Sequence, residues 1–490
     1  MSFRRLTTTV VFLAVFAMAV RVSVDSDTWW HLRAGAWIVE NRQLLDHDPF
    51  SLTRSGQPWI YPGWMAQVLF YSVYAGLGYA GLNLLTAAAV VVALAFVWSA
   101  LEGPVLLRAF VIVVAAMTSA VYWSARPQIL SFALAGVFLW ALEKSRAGSI
   151  RTLWLLPPVM ALWVNLHGGF AIGFLLLAVY IAGEATALLL DAFVNRRSLG
   201  QAWLGRRTLL TRLLLCTLAC VLAVSVNPNG PVMLLYPFKT VSIQVLQQYI
   251  QEWQSPDFHN LEPQAFLWML FLTFAAMATS GRRPAPVELI GVIAFAYLAF
   301  LAGRNIAVFA LVASPILARH AGSALAPLVA RIGSGPKVPA RLAGAMNVVI
   351  LVLALLAAAA KVIIPLDPQT NEQALADRLP VEAVTAIARQ GPPGPLFNSY
   401  NWGGYVLWAL YPDYPSFVDG RTDLFDDAIL EDYLLIWRAL PGWEAELDRW
   451  DIHLVLVEPD APLARALETA GWRQLHLDEQ AIVMARPDPR

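Results

Sequence analysis

Long apolar runs separated by short polar links fill the chain from its first residues to about position 364. Runs of roughly 17–25 apolar residues match the hydrocarbon thickness of a bilayer. They predict about eleven transmembrane helices, near 6–22, 81–101, 105–123, 127–142, 152–166, 170–191, 209–226, 264–280, 285–303, 306–319 and 344–364. Residues 64–79 are apolar too, but they read as an interfacial or re-entrant helix, broken from the next span by the Gly76 to Gly81 stretch. After 364 the pattern changes. Leu396-Phe397, Ser416-Phe417-Val418 and Leu454-Val455-Leu456-Val457 read as short strands, with helical patterns at 371–390, 427–440 and 461–470. The predicted organisation is a mainly α, polytopic membrane domain over 1–364, with long links at 23–80 and 227–263, followed by a small α/β domain over 365–490.

Composition supports lipid as part of the solvent. The chain of 490 residues is 58% hydrophobic and 14% charged, against about 25% charged in soluble domains. Its mean hydropathy is +0.58. The net charge of zero gives no footprint for nucleic acid. Cys216 and Cys220 lie inside an apolar run at a spacing that fits no metal or redox motif. There is no Walker motif and no nucleotide site is read, and Gly391-Pro392-Pro393-Gly394-Pro395 is a stiff turn or linker.

Charge orients the spans. Arg4 and Arg5, Lys144 to Arg151, Arg196 to Arg207, Arg282 and Arg283, and Arg319 to Arg341 all fall in alternate links. The positive-inside rule places these links and the N-terminus in the cytoplasm, and the 365–490 domain outside, in a multi-pass protein of the inner (plasma) membrane. Counting 64–79 as a separate crossing would invert every later basic link. The first span, with its basic flank and Ala17-Met18-Ala19, has a cleaved signal peptide as its alternative.

Unusual polar residues then collect on the outer side. Asp25 and Asp27 directly follow the first span, and in an extended stretch both would face one way. Two close carboxylates suit a divalent cation, or one suits a general base. Asp27 also fits as the cap of a helix from Thr28 to about Asn41. Trp29, Trp30 and His31 come next; an interfacial belt accounts for the two Trp. Arg126 sits in the tight link 122–128, and Arg304-Asn305 in another, where Arg suits bidentate phosphate binding and snorkelling is the plain alternative. Asn165, His167, Gly168 and Gly169 form a third link, and Asn227-Pro228-Asn229-Gly230 opens the second long loop as a turn. Ionisable groups at the membrane tend to mark function, and these converge on one side from separate links.

The segments 25–32 (Asp-Ser-Asp-Thr-Trp-Trp-His-Leu), 46–53 (Asp-His-Asp-Pro-Phe-Ser-Leu-Thr) and 417–423 (Phe-Val-Asp-Gly-Arg-Thr-Asp), set in many spans with a long first outer loop and an outer C-terminal domain, resemble bacterial members of the GT-C superfamily of membrane glycosyltransferases. Protein O-mannosyltransferases, the aminoarabinose transferase of lipid A and oligosaccharyltransferases belong there. The resemblance implies a polyprenyl-phosphate sugar as donor, used on the outer face, and an acceptor that is a glycan, lipid or protein. It maps the family's first-loop acidic motif onto Asp25 and Asp27 as catalytic residues and allows Mg²⁺ or Mn²⁺ between them. His31, Trp29, Trp30, Arg126, His167, Arg304 and Asn305 become the expected substrate-binding set. The WWDYG pattern of oligosaccharyltransferases is missing from the sequence, which leaves a peptide acceptor unsupported. Two other readings stay open: a transporter or flippase of a lipid-linked or polar substrate, which would favour midplane charges and repeated halves, and a non-catalytic scaffold whose C-terminal domain binds partners.

Overall fold

The computed structural model describes residues 1–22, 24–194, 198–245, 250–332 and 339–487. Arg196, Arg197 and Lys337, used above for orientation, lie outside them. Among the described residues, thirteen α-helices precede the C-terminal domain: α1 Phe3–Ala19, α2 Asp27–Asn41, α3 Trp64–Ala100, α4 Val105–Ser119, α5 Gln128–Arg146, α6 Leu156–Leu166, α7 Ala171–Phe193, α8 Leu199–Val224, α9 Tyr236–Ser242, α10 Leu261–Thr279, α11 Pro286–Leu301, α12 Ile306–Ile332 and α13 Ala340–Leu366. Eleven of these stand where the hydrophobic pattern places spans. Seven helices among the described residues are both long and apolar enough to cross a bilayer. The others fall short for visible reasons. Helix α1 has 17 residues and starts on Arg4 and Arg5, α5 ends on charges, and α6 and α11 are short.

The most apolar window of α13 is only 11% buried, whereas that of the segment containing α12 is 83% buried. Helix α12 is therefore the axis of the bundle, and α13 presents apolar side chains outward, an arrangement that only lipid solvates well. Small residues let helices approach. A Cβ on Gly183 would lie 2.4 Å from Val287, and one on Gly136 would lie 2.8 Å from the Ala93 carbonyl. These are α7–α11 and α3–α5 contacts of the kind that membrane helices use.

Residues 64–79 form the first of two helices that meet at a kink within the stretch called α3, as the Gly76 to Gly81 break predicts. The break falls at Gly78, with φ 61° and ψ −157°, a backbone state essentially reserved for glycine. The arm before it lies along α2, where Gly35 admits the Gln67 carbonyl.

The C-terminal domain carries α14 Pro368–Ala376, α15 Val381–Gln390, β1 Leu396–Asn398, α16 Gly403–Leu410, α17 Thr422–Trp437, α18 Trp443–Arg449, β2 Leu454–Val457, α19 Pro462–Thr469, β3 Arg473–Leu477 and β4 Ile482–Ala485. The sheet order is β1-β2-β4-β3, with β1 and β2 parallel and the other pairs antiparallel. Strands β1, β2 and β4 are buried throughout, as expected of strands covered on both faces. The helical pattern at 371–390 resolves into two helices, α14 and α15. Segment 416–418 is no strand. The Asn398 side chain takes the ladder's part, accepting from Phe417 N at 2.8 Å and donating to the Val418 carbonyl at 2.9 Å. Strands β3 and β4 were not anticipated.

The first long loop binds the C-terminal domain. Leu52 N donates to the Ser416 carbonyl at 2.8 Å and Thr53 Oγ1 to the Phe417 carbonyl at 2.7 Å. Beneath them Arg421, fully buried, is paired with Asp48 and with Asp419, its Nη2 lying 2.7 Å from Asp419 Oδ2. Its guanidinium also lies over the rings of Trp59 and Phe50, at 5.0 and 5.4 Å. Asp48 belongs to segment 46–53 and Arg421 to segment 417–423, so two stretches distant in sequence form one contact.

At the other end of the bundle a second ionic network ties the helices. Arg319 on α12 pairs with Glu143 on α5 at 2.7 Å, with Glu102 at 3.1 Å and with Glu288 on α11. Glu184 on α7 pairs with Arg206 on α8 at 2.7 Å and stands 3.9 Å from Arg146. Nothing in the apolar periodicity announced this network, because its members read as ordinary ends of spans.

Candidate functional site

A cavity of about 1090 Å³ lies at the junction of the bundle, the two long loops and the C-terminal domain. Asp25, Asp27, Trp30, His31, Arg126, His167, Arg304 and Asn305 all line it. They meet because every one of them stands at the same end of the bundle, in a link between helices or in the turn that opens α2. Trp29 is the exception. It is 2% exposed and packs against Tyr79 (6.0 Å), Tyr405 (5.1 Å) and Trp408 (6.2 Å). The helical turn of about 100° per residue directs Trp29 into the α2–α3–α16 core and leaves Trp30 on the cavity side. Trp29, expected among the substrate-binding residues, thus stands outside the cavity lining in a packing position.

Arg126 is the hub. Its Nη1 donates to Asp27 Oδ2 at 2.6 Å, its Nε lies 3.1 Å from Asp25 Oδ2, and its Nη2 pairs with Glu252. Asp25 and Asp27 thus converge through a shared guanidinium and not by strand alternation; Ser26 between them has a helical backbone. Ser26 stands at the cap of α2 and makes no side-chain cap bond, while Asp25 Oδ1 accepts the Asp27 amide at 3.0 Å. Glu252, from the loop 227–263, was missed in the sequence. Its segment Gln-Glu-Trp carries no periodic signal, and only the length of the loop hinted at function.

Arg304 is less engaged. Its Nη1 lies 3.4 Å from Glu252 and its guanidinium stacks 4.3 Å over Trp253. Asn305 closes a helix end by donating to the Leu298 carbonyl at 2.9 Å. His167 Nδ1 meets Ser131 Oγ at 2.8 Å and accepts the Gly169 amide at 3.0 Å. Asn165 and Asn227 are stitches between loops: Trp64 Nε1 donates to Asn165 at 2.8 Å, and Asn227 donates to the Val164 carbonyl at 2.9 Å.

Burial sets the protonation of the cluster, and neighbouring charges modulate it. Burial pushes the Asp27 carboxyl up to about 7; Arg126 pulls it down, while Asp25 and Glu252 push it further up. Glu252 is held at about 2, where the attraction of Arg126 and Arg304 outweighs burial. Burial holds His31 well below the usual imidazole value, and His167 and Arg126 add to the effect. His167 is lowered to about 3 by burial, then by Arg304 and Arg126. Both imidazoles are therefore neutral at pH 7 and act as hydrogen-bonding groups.

The C-terminal domain closes the cavity. Gly420 lies so close to Asp27 that a Cβ there would come within 1.9 Å of Asp27 Oδ1. Thr422, Asp423, Tyr400, Tyr433 and Glu458 continue this wall. On the membrane side the lining turns apolar through Ile172, Leu175, Val241 and Leu298, of which Leu175 and Val241 are exposed. The Arg126 guanidinium occupies the point where Asp25, Asp27 and Glu252 converge, so Mg²⁺ or Mn²⁺ between Asp25 and Asp27 does not fit this arrangement. Glu382, His476 and Asp478 bring ligand atoms within 4.8 Å of one another on the C-terminal domain, away from the cavity.

No protein-family model matches the sequence, and no curated protein matches it significantly. Solved structures do match its fold. The oligosaccharyltransferase of Archaeoglobus fulgidus tethered with an acceptor peptide aligns over 93% of this chain and 69% of that one, with a TM-score of 0.56 and 15% identity. The archaeal oligosaccharyltransferase AglB from the same organism, in complex with an inhibitory peptide and a dolichol-phosphate, aligns over 93% and 70%, with a TM-score of 0.53 and 15% identity. ArnT from Cupriavidus metallidurans in the apo state aligns over 98% and 97% at a TM-score of 0.45 and 15% identity. At such identity the likeness is one of fold. The chain shares the polytopic membrane fold of the two A. fulgidus oligosaccharyltransferase structures.

Proposed function

We propose that this chain is a GT-C membrane glycosyltransferase that moves a sugar from a polyprenyl-phosphate donor to an acceptor hydroxyl at the outer face of the inner membrane. The observation that carries the reading is one shared cavity in which Asp27 and two guanidinium groups meet an apolar lining from α7 and α11. The A. fulgidus enzyme of the same fold was captured with a dolichol-phosphate. A polyprenyl chain lies along Ile172, Leu175 and Leu298, and its phosphate reaches Arg304. Arg304 suits this role better than Arg126, whose three arms are already taken by carboxylates.

The reaction follows from these positions. The acceptor oxygen attacks the anomeric carbon, and its proton passes to Asp27. The bond from the anomeric carbon to the phosphate oxygen breaks, and its electron pair stays on the phosphate, stabilised by Arg304. The sugar is oxocarbenium-like between carboxylate and phosphate, as in glycoside hydrolysis. Asp25 and Glu252 fix Arg126, and Arg126 orients Asp27. No step is routed through a metal.

The basic links gather at the end of the bundle opposite the cavity, which supports a cytoplasmic N-terminus and an outer site. A transporter would need a route through that opposite end, where the Arg319–Glu143–Glu288 network sits. The test is transfer by purified protein in lipid nanodiscs, supplied with a polyprenyl-phosphate sugar. Binding of polyprenyl phosphate that Arg304→Ala weakens supports the reading, and no binding by the wild type overturns it.

A further inference from the structure

The wall built by the C-terminal domain has a chemistry distinct from that of the phosphate end. It offers two carboxylates, Asp423 and Glu458, and two aromatic rings, Tyr400 and Tyr433, whose centroids lie 6.3 Å apart. Glu458 is held in place by the Ser399 hydroxyl and by Trp437 Nε1 at 3.3 Å. Asp423 stands at the start of α17, with Tyr236 and Lys239 of α9 as its electrostatic neighbours. Across the same cavity, Trp30 Nε1 and His31 Nδ1 are buried and have no hydrogen-bond partner among the described residues, and their residues are 5% and 4% exposed. A buried donor without a partner is costly, so a ligand that supplies one is favoured.

A ligand satisfying this wall must donate to carboxylates, accept from an indole N–H and present flat apolar faces to tyrosines. Phosphate accepts but, when ionised, does not donate. An alkyl chain does neither. A sugar does all three, since each hydroxyl both donates and accepts and the ring carries C–H faces. We infer that this wall is the acceptor subsite, that the acceptor is a saccharide, and that Asp423 anchors one of its hydroxyls. The inference rests on the transferase reading and narrows it to a sugar-to-sugar transfer.

The test uses the full-length protein in nanodiscs with two probes. Saturation-transfer NMR follows a panel of neutral disaccharides (cellobiose, chitobiose and mannobiose), with a tetrapeptide for comparison. Polyprenyl phosphate binding is measured in parallel. A disaccharide is expected to bind the wild type, and Asp423→Asn to weaken it roughly tenfold or more, the usual effect of losing a charged hydrogen-bond partner. Polyprenyl phosphate binding is expected to stay unchanged. Tyr400→Leu, which leaves the carboxylate in place, is expected to weaken the same disaccharide. Disaccharide binding that is indifferent to both variants, or binding of the tetrapeptide alone, overturns the saccharide subsite while leaving the donor reading intact. Failure of the wild type to bind polyprenyl phosphate removes the transferase reading and this inference together.

Discussion

At Arg126 three carboxylates share one guanidinium, and the consequences of changing any member follow from that sharing. Asp27→Asn keeps the shape and one acceptor oxygen, so the protein is expected to fold while transfer falls by about 10²–10⁴-fold, the usual loss with a general base. Because the Asp27 carboxyl is raised to about 7, the wild-type rate is expected to rise as pH increases through that value, as the base loses its proton. A flat profile from pH 6 to 8 would take Asp27 out of the proton transfer. Arg126→Ala strands Asp25 and Asp27 without this counter-charge and leaves Glu252 to Arg304 alone, so thermal unfolding in detergent should shift downward as well as activity being lost. Arg126→Lys retains charge without the fork and should sit between that variant and wild type. Since the guanidinium holds the point where a metal would sit, transfer should survive EDTA; a loss restored by Mg²⁺ or Mn²⁺ would show that Arg126 yields this point to an ion. Asp25, Asp27, Arg126 and Arg304 were legible in the sequence because each is a charge in a link at one end of the bundle, where chain parity decides the side. Glu252 and Asp423 were not, because a lone carboxylate in a long loop or a mixed domain carries no such parity. The direction of Trp29 and Trp30 depended on the turn of a helix and on what packs against it.

Among the elements, the spans were the most legible part, since a run of apolar residues states its own length. Residues 64–79 are a case in point: the glycines read as a break from the following span, and two helices do meet at a kink at Gly78. The glycine signal located the kink but not the helix against which the first arm packs. That bend lays the arm of α3 on α2 and so supports the turn bearing Asp25 and Asp27. An alanine at position 78 would have to adopt φ 61°, a strain of about 1–3 kcal/mol for a residue with a Cβ. Gly78→Ala is expected to lower the unfolding temperature and reduce activity, although residue 78 is no part of the cavity wall. Unchanged values for both would mean that the arm does not position the site. Segment 416–418 shows the converse: its strand-like composition was real, but Asn398 supplied the hydrogen bonds that a neighbouring strand would otherwise have given.

Across the whole molecule, the cavity exists only where bundle and C-terminal domain are joined, and Arg421 is the fastening. Removing it leaves Asp48 and Asp419 buried without a counter-charge, a loss of about 3–5 kcal/mol in comparable buried pairs. Arg421→Ala is expected to expose residues 42–63 to limited proteolysis and to abolish transfer, and adding Asp48→Asn and Asp419→Asn should recover part of the stability. Equal protease resistance in Arg421→Ala and wild type would show that the domain is held by other means. The two segments that form this fastening stood out in the sequence, but their meeting was invisible there, since some 370 positions separate Asp48 from Arg421. The ionic network at the opposite end has a mechanical meaning. Arg319 clamps α5, α11 and α12 together while Glu184 and Arg206 bind α7 to α8, so the bundle works like a clothes-peg whose spring lies at that end. Helix α7 is about 35 Å long, so a tilt of about 5° about the spring parts the jaws beside Ile172 and Leu298 by about 3 Å. Under the proposed function, that parting is the direction in which a donor's lipid tail would enter from the bilayer, with the ionic contacts at the other end undisturbed.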